Sequence, residues 1–432
     1  MSRAAPAGAG PRAATFREVF AVAEFRPLFG SFLLSTIGDE LARVALTVLV
    51  YMRTDSPLLS AATFAISYLP WLLGGPLLAT LADRLPRHRV LIGTDAARAA
   101  LVALMAIPGT PLPVLLGLLF LVALCAPPFE SARSALMADV LDGDRYAVAT
   151  SLTNISLQMA QVVGFLLAGA LVAVFDPSAA LLFDAVTFAV SALWLARRLR
   201  RRPAPVTEAG EASRGLWQDA GDGLRMIGRT PRLLAIIAVL WVGTLFAYAS
   251  EGIATPLVEA LGQGTTAVGV LLAANPLGVT VGGLIVARLV PPHRREALVP
   301  HLVVLSLVPL LLAGLLAQLA GPGGVPFGMV VGLMFVAGLG GAWLIPLNVS
   351  FVQAVPPNYR GRAFGVAVSG LYGVQGLGVL GAGLAAEGLP PGGVVALCGG
   401  LGLFAVIPPL LAYLRTEGSV AAGPVTAGSS MP

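Results

Sequence analysis

The sequence predicts an all-α membrane protein with twelve transmembrane helices in two pseudo-symmetric six-helix halves. The 432 residues are 57% hydrophobic and only 11% charged, whereas a soluble globular protein is about 25% charged. Twelve apolar segments are each close to, or longer than, the roughly 20 residues that span a bilayer. Several features of the first six segments recur in the same order in the last six, which predicts the two halves.

The twelve segments divide the chain into five regions. We predict a cytosolic tail with an interfacial helix over residues 1–25, a first six-helix half over 26–199, a cytosolic central loop over 200–231, a second six-helix half over 232–414 and a cytosolic tail over 415–432. The predicted spans are 27–52, 58–82, 90–108, 112–137, 147–175, 178–199, 232–258, 265–289, 297–319, 325–355, 362–386 and 391–414. Pro127-Pro128 in the fourth span and Pro346 in the tenth predict kinks, because proline removes a helical hydrogen bond.

Two amphipathic segments outside the spans predict helices on the membrane surface. Their apolar residues recur at helical spacing, at Phe16, Val19, Phe20 and Ala23 in the first and at Leu216, Ala220, Leu224 and Ile227 in the second.

The placement of arginine predicts the orientation. All 27 basic residues are Arg; they concentrate in the tails, the central loop and alternate loops, and Arg53 alone falls in a loop on the other side. Because cytosolic loops carry an excess of basic residues, both termini are expected in the cytosol. Exclusive use of Arg is typical of a GC-rich bacterial genome, so we expect a multi-pass protein of a bacterial plasma membrane.

The composition excludes several classes of function. Without Lys the chain has neither a phosphate-binding P-loop nor a Lys Schiff base. His88, His293 and His301 lack metal-ligand spacing, and Cys125 and Cys398 lie in apolar runs. We therefore expect no enzyme, no catalytic residue, no cofactor and no metal, and we attribute the high pI to loop Arg rather than to nucleic-acid binding.

A charged motif separates the second and third spans. Between Gly74 and Arg89 it places Asp83, Arg84 and Arg87 between two apolar runs. The motif resembles the loop between helices 2 and 3 of the major facilitator superfamily of secondary transporters, whose pattern is Gly-x-Leu-Ala-Asp-Arg-x-Gly-Arg-Arg. The matching residues are Leu81, Ala82, Asp83, Arg84 and Arg87, and the departures are Ala79, Pro86 and His88.

The resemblance implies the fold of that family and transport by alternating access, with substrate bound between the halves. It also implies that Asp83 and Arg87, with Arg84 beside them, tie helix ends together when the transporter is closed to the cytosol. The remaining members of this network are sought among Asp95, Arg98, Glu130, Arg133 and Asp139. The alternative is a basic loop that only fixes orientation. Because Leu289 stands at the position of Asp83 in the second half, we expect only bases in that loop.

Small residues align between the two halves. An offset of 214 residues matches Gly164 with Gly378 and Gly169 with Gly383. Because small residues allow helices to approach closely in lipid, we interpret all four glycines as packing positions.

Acidic residues inside the predicted spans are candidates for the transport site. They outnumber the arginines there: the acids are Asp39, Glu40, Asp95, Glu130, Asp184 and Glu251, and the arginines are Arg43, Arg98 and Arg133. Helical spacing predicts the pairs Asp39–Arg43, Asp95–Arg98 and Glu130–Arg133. Glu40, Asp184 and Glu251 are left over, and Asp184 is expected to reach water near a helix end.

An unpaired carboxylate in a membrane must face water, find a cation or keep a proton. Asp39 and Glu40 are adjacent and share Arg43, so we expect them to titrate as a coupled unit. Asp39 is the first candidate for proton coupling and Glu251 the second, with a purely structural ion pair as the alternative.

The segments Ile37–Leu46 and Thr94–Arg98 resemble the macrolide-efflux and enterobactin-exporter branch of the superfamily. The resemblance implies proton-driven antiport that exports a small amphipathic compound, such as a drug or a macrolide-like or siderophore-like molecule, and so confers drug resistance. An importer or metabolite exchanger of the same fold is the alternative, and a membrane receptor or membrane enzyme is less favoured. The expected partners are the substrate, protons and the lipid bilayer, with the protein acting as a monomer.

Overall fold

A computed structural model describes residues 14–72, 85–203, 216–320, 327–356 and 359–421. These residues form α-helices joined by short turns. In chain order the first helices are α1 Phe16–Ala21, α2 Phe25–Thr54, α3 Pro57–Ile66, α4 Arg87–Met105, α5 Leu112–Leu124, α6 Ala126–Val140, α7 Asp144–Val174, α8 Pro177–Arg198 and α9 Leu216–Arg229. The chain continues with α10 Pro231–Ala247, α11 Ala254–Ala260, α12 Thr265–Leu289, α13 Pro292–Arg295, α14 Val299–Ala320, α15 Phe327–Gly341, α16 Leu344–Ala354, α17 Arg360–Ala386 and α18 Pro391–Ala421.

Nine helical stretches in the described part of the chain are long and apolar enough to cross a membrane. They correspond to the fourth to twelfth predicted spans. The first and third spans correspond to α2 and α4, which are 30 and 19 residues long but carry ionisable groups. The second begins with α3, and its continuation beyond Leu72 lies outside the described residues. The protein is an all-α integral membrane protein, as predicted.

Proline positions explain the main helix breaks. The fourth span divides at Cys125, just before Pro127-Pro128, and the tenth divides before Pro346, as predicted. A third break was not predicted: α10 ends at Ala247, and a 3-10 segment Ala249–Ile253 separates it from α11. Pro256 in α11 has no N–H to donate to Gly252, four residues earlier, so a regular helix cannot run through this point.

The two ends of the bundle differ in their polar contacts. At one end Glu24 bonds Arg202 at 2.6 Å, Arg87 pairs with Asp139, and Arg232 bonds Glu296 at 2.5 Å. We call this the Arg-rich end. At the other end Arg53 donates to the carbonyl of Thr110 at 2.9 Å, and Glu387 contacts Ser56. We call this the opposite end.

The helices pack in two groups that meet along two seams. We call α2–α8 the first half and α10–α18 the second half. In the first half α8 packs against α2 and α4; in the second half α14 packs against α15 and α18. The seams between the halves are α7 against α12 and α3 against α17.

Four aligned glycines allow these contacts, as predicted. Gly164 and Gly378 face the first helix of their own half: a Cβ at Gly164 would lie 2.9 Å from the carbonyl oxygen of Ile37, and one at Gly378 would overlap that of Leu245. Gly169 and Gly383 instead face the other half, against Gly269 and Ala61 respectively. Aligned positions thus make equivalent contacts. Gly169 and Gly383 lie where the two halves touch near the opposite end.

The two predicted surface segments are helical. In α1, Thr15 caps the first turn and Glu18 bonds back to the Thr15 N–H, a reciprocal arrangement that satisfies two free backbone donors. α9 buries the side chain of Ile227, which is 2% exposed. Its Gly223 lies against the backbone of Arg362 at the start of α17.

Candidate functional site

A cavity of about 400 Å³ lies between the two halves. The first half contributes α2, Arg98 of α4, α5, α6, α7 and the residues after α3 to its wall. The second half contributes Tyr248, Glu251, α12 and α17. The volume falls in the range of about 300–1,000 Å³ that is usual for small-molecule sites. Most of the charged side chains predicted inside the spans line it.

Glu40 and Arg43 form an ion pair in the cavity wall. Arg43 Nη1 lies 2.9 Å from Glu40 Oε2, and Gln161 Nε2 donates to Glu40 Oε1 at 3.2 Å. The Arg43 guanidinium also lies over the rings of Phe64 and Tyr68, 5.1 Å and 5.6 Å from their centroids. The predicted Asp39–Arg43 pair is therefore wrong: the i+3 partner Glu40 takes Arg43.

Asp39 instead faces Arg98 from another helix. Arg98 Nη1 is 3.6 Å from Asp39 Oδ2 and 4.0 Å from Asp95 Oδ1. Arg98 is 2% exposed, and its guanidinium lies between the rings of Phe129 and Phe188 at 5.4 Å and 5.3 Å. One guanidinium thus serves two carboxylates, one in the cavity and one behind it.

Asp95 is fully buried behind the cavity. It accepts a hydrogen bond from Ser35 Oγ at 3.3 Å and a shorter one from Ser191 Oγ. These hydroxyls come from α2 and α8, so Asp95 joins three helices of the first half. The predicted Asp95–Arg98 contact exists, but at 4.0 Å it is the longest ion pair of the described residues.

Asp184 does not reach water, contrary to the prediction. It is 0% exposed, and its Oδ1 accepts from Thr187 Oγ1 at 3.1 Å. Its Oδ2 has no hydrogen-bond partner among the described residues. Gly38 explains the burial: a side chain there would overlap the Asp184 carboxyl group, so only glycine lets α2 close over α8 at this point.

Glu130 and Arg133 form the third pair, as spacing predicts. Arg133 Nε donates to Glu130 Oε2 at 2.9 Å, and Arg133 Nη2 makes a shorter contact with Glu130 Oε1. The Arg133 guanidinium lies 4.4 Å from the centroid of the Phe32 ring. The pair lines the cavity.

Glu251 enters the cavity from the interrupted helix between α10 and α11. Tyr68 Oη lies 3.5 Å from its Oε2. Within the described ranges, no basic group lies within ion-pair distance of this carboxylate. Tyr68 and Trp71 both stack with Tyr372: the Tyr68–Tyr372 centroids are 5.9 Å apart and the Trp71–Tyr372 centroids 4.9 Å apart. The sequence analysis missed this aromatic group because its members come from two distant helices.

The motif between the second and third spans is only partly described. Asp83 and Arg84 lie outside the described residues. Arg87 begins α4, pairs with Asp139 at the end of α6 and donates to the carbonyl of Ala135 at 3.4 Å. Of the proposed network, Asp139 thus lies beside the motif, whereas Asp95 and Arg98 lie deep in the first half.

The second half has an acidic anchor of its own. Glu296 Oε1 accepts from Arg232 Nη2 at 2.5 Å, Ser350 Oγ at 2.7 Å and Tyr413 Oη at 3.2 Å. It therefore ties the starts of α10 and α14 to α16 and α18. The expectation that this loop carries only bases is wrong, because the anchor lies seven residues after the aligned position Leu289.

Over the described parts of the chain, no group of three or more His, Cys, Asp or Glu side chains is arranged to hold a metal ion. What the cavity offers is ionisable carboxylates, guanidinium groups and aromatic faces.

Comparisons with known proteins place the fold. The family model described as Major Facilitator Superfamily matches residues 28–303, more than half of the chain. The uncharacterized MFS-type transporter YfiS of Bacillus subtilis is 24% identical over 403 residues, which cover 90% of this chain and 94% of that protein.

Solved structures agree at the level of fold. A POT family transporter in complex with 5-aminolevulinic acid superposes with a TM-score of 0.72 at 12% identity, covering 94% of this chain and 98% of that one. The nucleoside transporter NupG superposes with a TM-score of 0.70 at 14% identity, covering 90% and 100%.

Proposed function

The chain belongs to the major facilitator superfamily, and we propose that it is a proton-driven exporter of a small amphipathic compound. It is an MFS-type transporter rather than an enzyme. Export, proton coupling and the resemblance to the macrolide-efflux and enterobactin-exporter branch are parts of the proposal. Drug resistance would be one consequence of such export.

The observation that carries proton coupling is the sharing of Arg98 by two carboxylates. Asp39 lines the cavity and Asp95 is buried behind it, at 3.6 Å and 4.0 Å from the same guanidinium. One positive charge neutralises only one of them, so the second carboxylate favours a proton. A shift of Arg98 toward one acid would favour the ionised form of that acid, so its proton would be released and the other acid would favour the protonated form. Asp39 is the acid that substrate and water reach first.

The seams support a direction of access. The halves touch through Gly169–Gly269 and Ala61–Gly383 at the opposite end. The cavity lies between these contacts and the Arg-rich end, which we assign to the cytosol because basic loops face that side. This arrangement is what a transporter open to the cytosol requires before it takes up a compound for export.

The orientation has a direct test. We expect a reporter that is active only in the cytosol to work when fused after Pro432. The same reporter fused at Thr110, beside Arg53 at the opposite end, is expected to be silent. The reverse pattern would place the Arg-rich end outside the cell and would contradict export.

Proton coupling is tested in everted membrane vesicles whose acidified lumen quenches an acridine dye. A compound that is carried into the lumen in exchange for luminal protons lowers the gradient and restores the fluorescence. The panel comprises a macrolide, a catecholate siderophore and the lipophilic cation tetraphenylphosphonium. We expect at least one of them to restore fluorescence with the wild-type protein and none with Asp39→Asn, because that variant cannot exchange a proton at this position.

The matched control is Asp142→Asn, which removes an exposed carboxylate outside the cavity and should behave as wild type. Asp83→Asn is expected to insert in the membrane normally but to respond weakly, because one end state loses a stabilising contact. If no compound restores fluorescence with the wild-type protein, proton-coupled export is wrong. If Asp39→Asn responds and Glu251→Gln does not, the interrupted helix carries the proton instead.

An importer or metabolite exchanger remains the second candidate. Two proteins of similar fold support it: the POT family transporter, which binds 5-aminolevulinic acid, and the nucleoside transporter NupG. Accumulation of a nutrient by right-side-out vesicles under an inward proton gradient would favour this candidate over export.

A further inference from the structure

The charges that line the cavity do not balance. Four carboxylates face three guanidiniums, and three of the carboxylates lie within ion-pair distance of one: Glu40 of Arg43, Asp39 of Arg98, which Asp95 shares from behind the cavity, and Glu130 of Arg133. Glu251 is the fourth, and in the described part of the chain it has no such partner. The cavity therefore has one more carboxyl group than guanidinium groups, and Glu251 is the one without an ion-pair partner among the described residues.

Glu251 stands where the backbone is also irregular. The 3-10 segment Ala249–Ile253 interrupts the helix between α10 and α11. Irregular backbone at membrane depth is tolerated where it lines a cavity, and interrupted helices form the substrate sites of several transporter folds. The position of Glu251 thus combines an unpaired charge with a local structure suited to a ligand.

One aromatic residue contacts this carboxylate, and two further rings stack with it in the cavity wall. Tyr68 lies 3.5 Å from Glu251 and stacks on Tyr372, with an interplanar angle of 26°. Trp71 stacks on the same Tyr372 at 27°. The Tyr68 ring already lies under one cation, the Arg43 guanidinium. Tyr68 and Trp71 belong to the first half and Tyr372 to the second, so a ligand here contacts both halves.

We propose that Glu251 and the stacked rings of Tyr68, Tyr372 and Trp71 form a subsite for the positively charged end of the substrate. The transported compound is then an amphipathic organic cation. The carboxylate supplies the counter-charge, and the ring faces attract a poorly hydrated cation. A hydrated inorganic ion gains little from the rings, and an anion is repelled by the surplus charge. This inference rests on the proposed transport function.

The test is equilibrium binding to purified protein in detergent at neutral pH, without any gradient. The probes are tetraphenylphosphonium and tetraphenylborate, which share size and shape but carry opposite charges. We expect the wild-type protein to bind the cation about tenfold or more tightly than the anion. Glu251→Gln should weaken cation binding about tenfold and leave anion binding unchanged or stronger.

Two further variants separate the subsite from a general effect of charge. Trp71→Leu should weaken binding of the cation because it removes one ring of the stack. Asp142→Asn removes the same charge from an exposed position and should bind both probes as the wild-type protein does. Gel filtration and thermal unfolding of each variant establish that a lost signal is not lost folding.

Equal binding of the two probes, or an unchanged cation affinity in folded Glu251→Gln, would overturn the subsite. This result leaves proton-coupled export untouched if another compound restores vesicle fluorescence. Conversely, Glu251-dependent binding of the cation supports the subsite even when no compound restores fluorescence, in which case proton coupling alone fails. The two proposals can therefore fail separately.

Discussion

The glycines of the two halves differ in how often they face the backbone of a neighbouring helix. In the first half glycines make room for side chains: Gly38 for the Asp184 carboxyl group, Gly30 for the Trp194 ring and Gly164 for the Cβ of Glu40. In the second half many make room for backbone, as at Gly278 and Gly338, which face carbonyl oxygens of Phe335 and Asn275, and others make room for side chains, as Gly370 does for the Trp241 ring. Among the described glycines, close contact between the backbones of two helices in the same half is thus mainly a feature of the second half.

The distribution of charge follows the same division. Seven of the eight charged side chains that line the cavity or lie directly behind it, at Asp39, Glu40, Arg43, Asp95, Arg98, Glu130 and Arg133, belong to the first half, and Glu251 belongs to the second. The comparison indicates that the first half holds most of the ionisable side chains of the cavity, whereas the second half has more contacts of backbone on backbone. Three predictions test this division.

The largest effect is expected from Arg98→Met. This change leaves Asp39 and Asp95 without their shared positive charge, and breaking a buried ion pair from one side costs about 3–5 kcal/mol. Thermal unfolding in detergent measures the loss. The double variant Arg98→Met/Asp95→Asn should recover part of it, because the deepest uncompensated carboxylate is then neutral.

The control is Arg53→Met, which removes an exposed arginine and should change unfolding little. If Arg98→Met unfolds like the wild-type protein, the first half does not depend on its buried charges. The proposed difference between the halves in their use of buried charges would then be wrong.

An intermediate effect is expected from Gly338→Ala in the second half. A Cβ at this position would overlap the backbone of Asn275 on α12. Because backbone cannot move aside as a side chain can, α12 and α15 must separate, and we expect a loss of about 1–3 kcal/mol. Gly332→Ala on the same helix meets nothing within contact distance, and it should be neutral by the same measurement.

The smallest effect is expected where the halves touch at the opposite end. Glu387 at the end of α17 accepts from Ser56 Oγ at 2.6 Å and from the N–H of Leu58 at 3.0 Å. These donors lower the pKa of the Glu387 carboxyl below its ordinary value. The contact therefore favours the ionised form. The stabilisation from these hydrogen bonds is fully present above the ordinary carboxyl pKa of about 4.3. It is lost as the pH falls through the lowered pKa of Glu387.

Spin labels at Met52→Cys and Leu389→Cys, in a protein whose Cys125 and Cys398 are replaced by Ala, report the separation of the two halves at this end. We expect a single short distance at neutral pH and a longer component in strong acid. Glu387→Gln should show the longer component at neutral pH, and Asp55→Asn at the same end should not. An identical distribution for Glu387→Gln would mean that the contact does not hold the halves together.

Local signals were sufficient for the fold. Long apolar segments, together with Pro127-Pro128 and Pro346, predict helices and breaks because these effects act within one segment. The break at Glu251 has the same kind of local signal, since Gly252 lies within the interrupted segment and Pro256 follows it. The repeat also predicts the equivalent contacts of the four aligned glycines.

The pairing of charges depended on information that one helix does not contain. Spacing along α2 offers Arg43 two acids, and only the arrival of Arg98 from α4 decides that Asp39 turns away. The burial of Asp184 likewise depends on Gly38 in another helix. Glu296 was missed because the repeat was compared position by position, whereas Glu296 lies seven residues after the aligned position Leu289, in the same loop.

The three arginines of the cavity wall share one arrangement, a carboxylate beside the guanidinium and an aromatic ring under it. Arg43 lies on Phe64 and Tyr68, Arg98 on Phe129 and Phe188, and Arg133 on Phe32. A guanidinium is flat, so it can bond oxygen at its rim while its face rests on a ring. A rounded, strongly hydrated ammonium group cannot do both. In a chain that contains no lysine, the wall of this cavity is thus built from the one cation whose shape suits it.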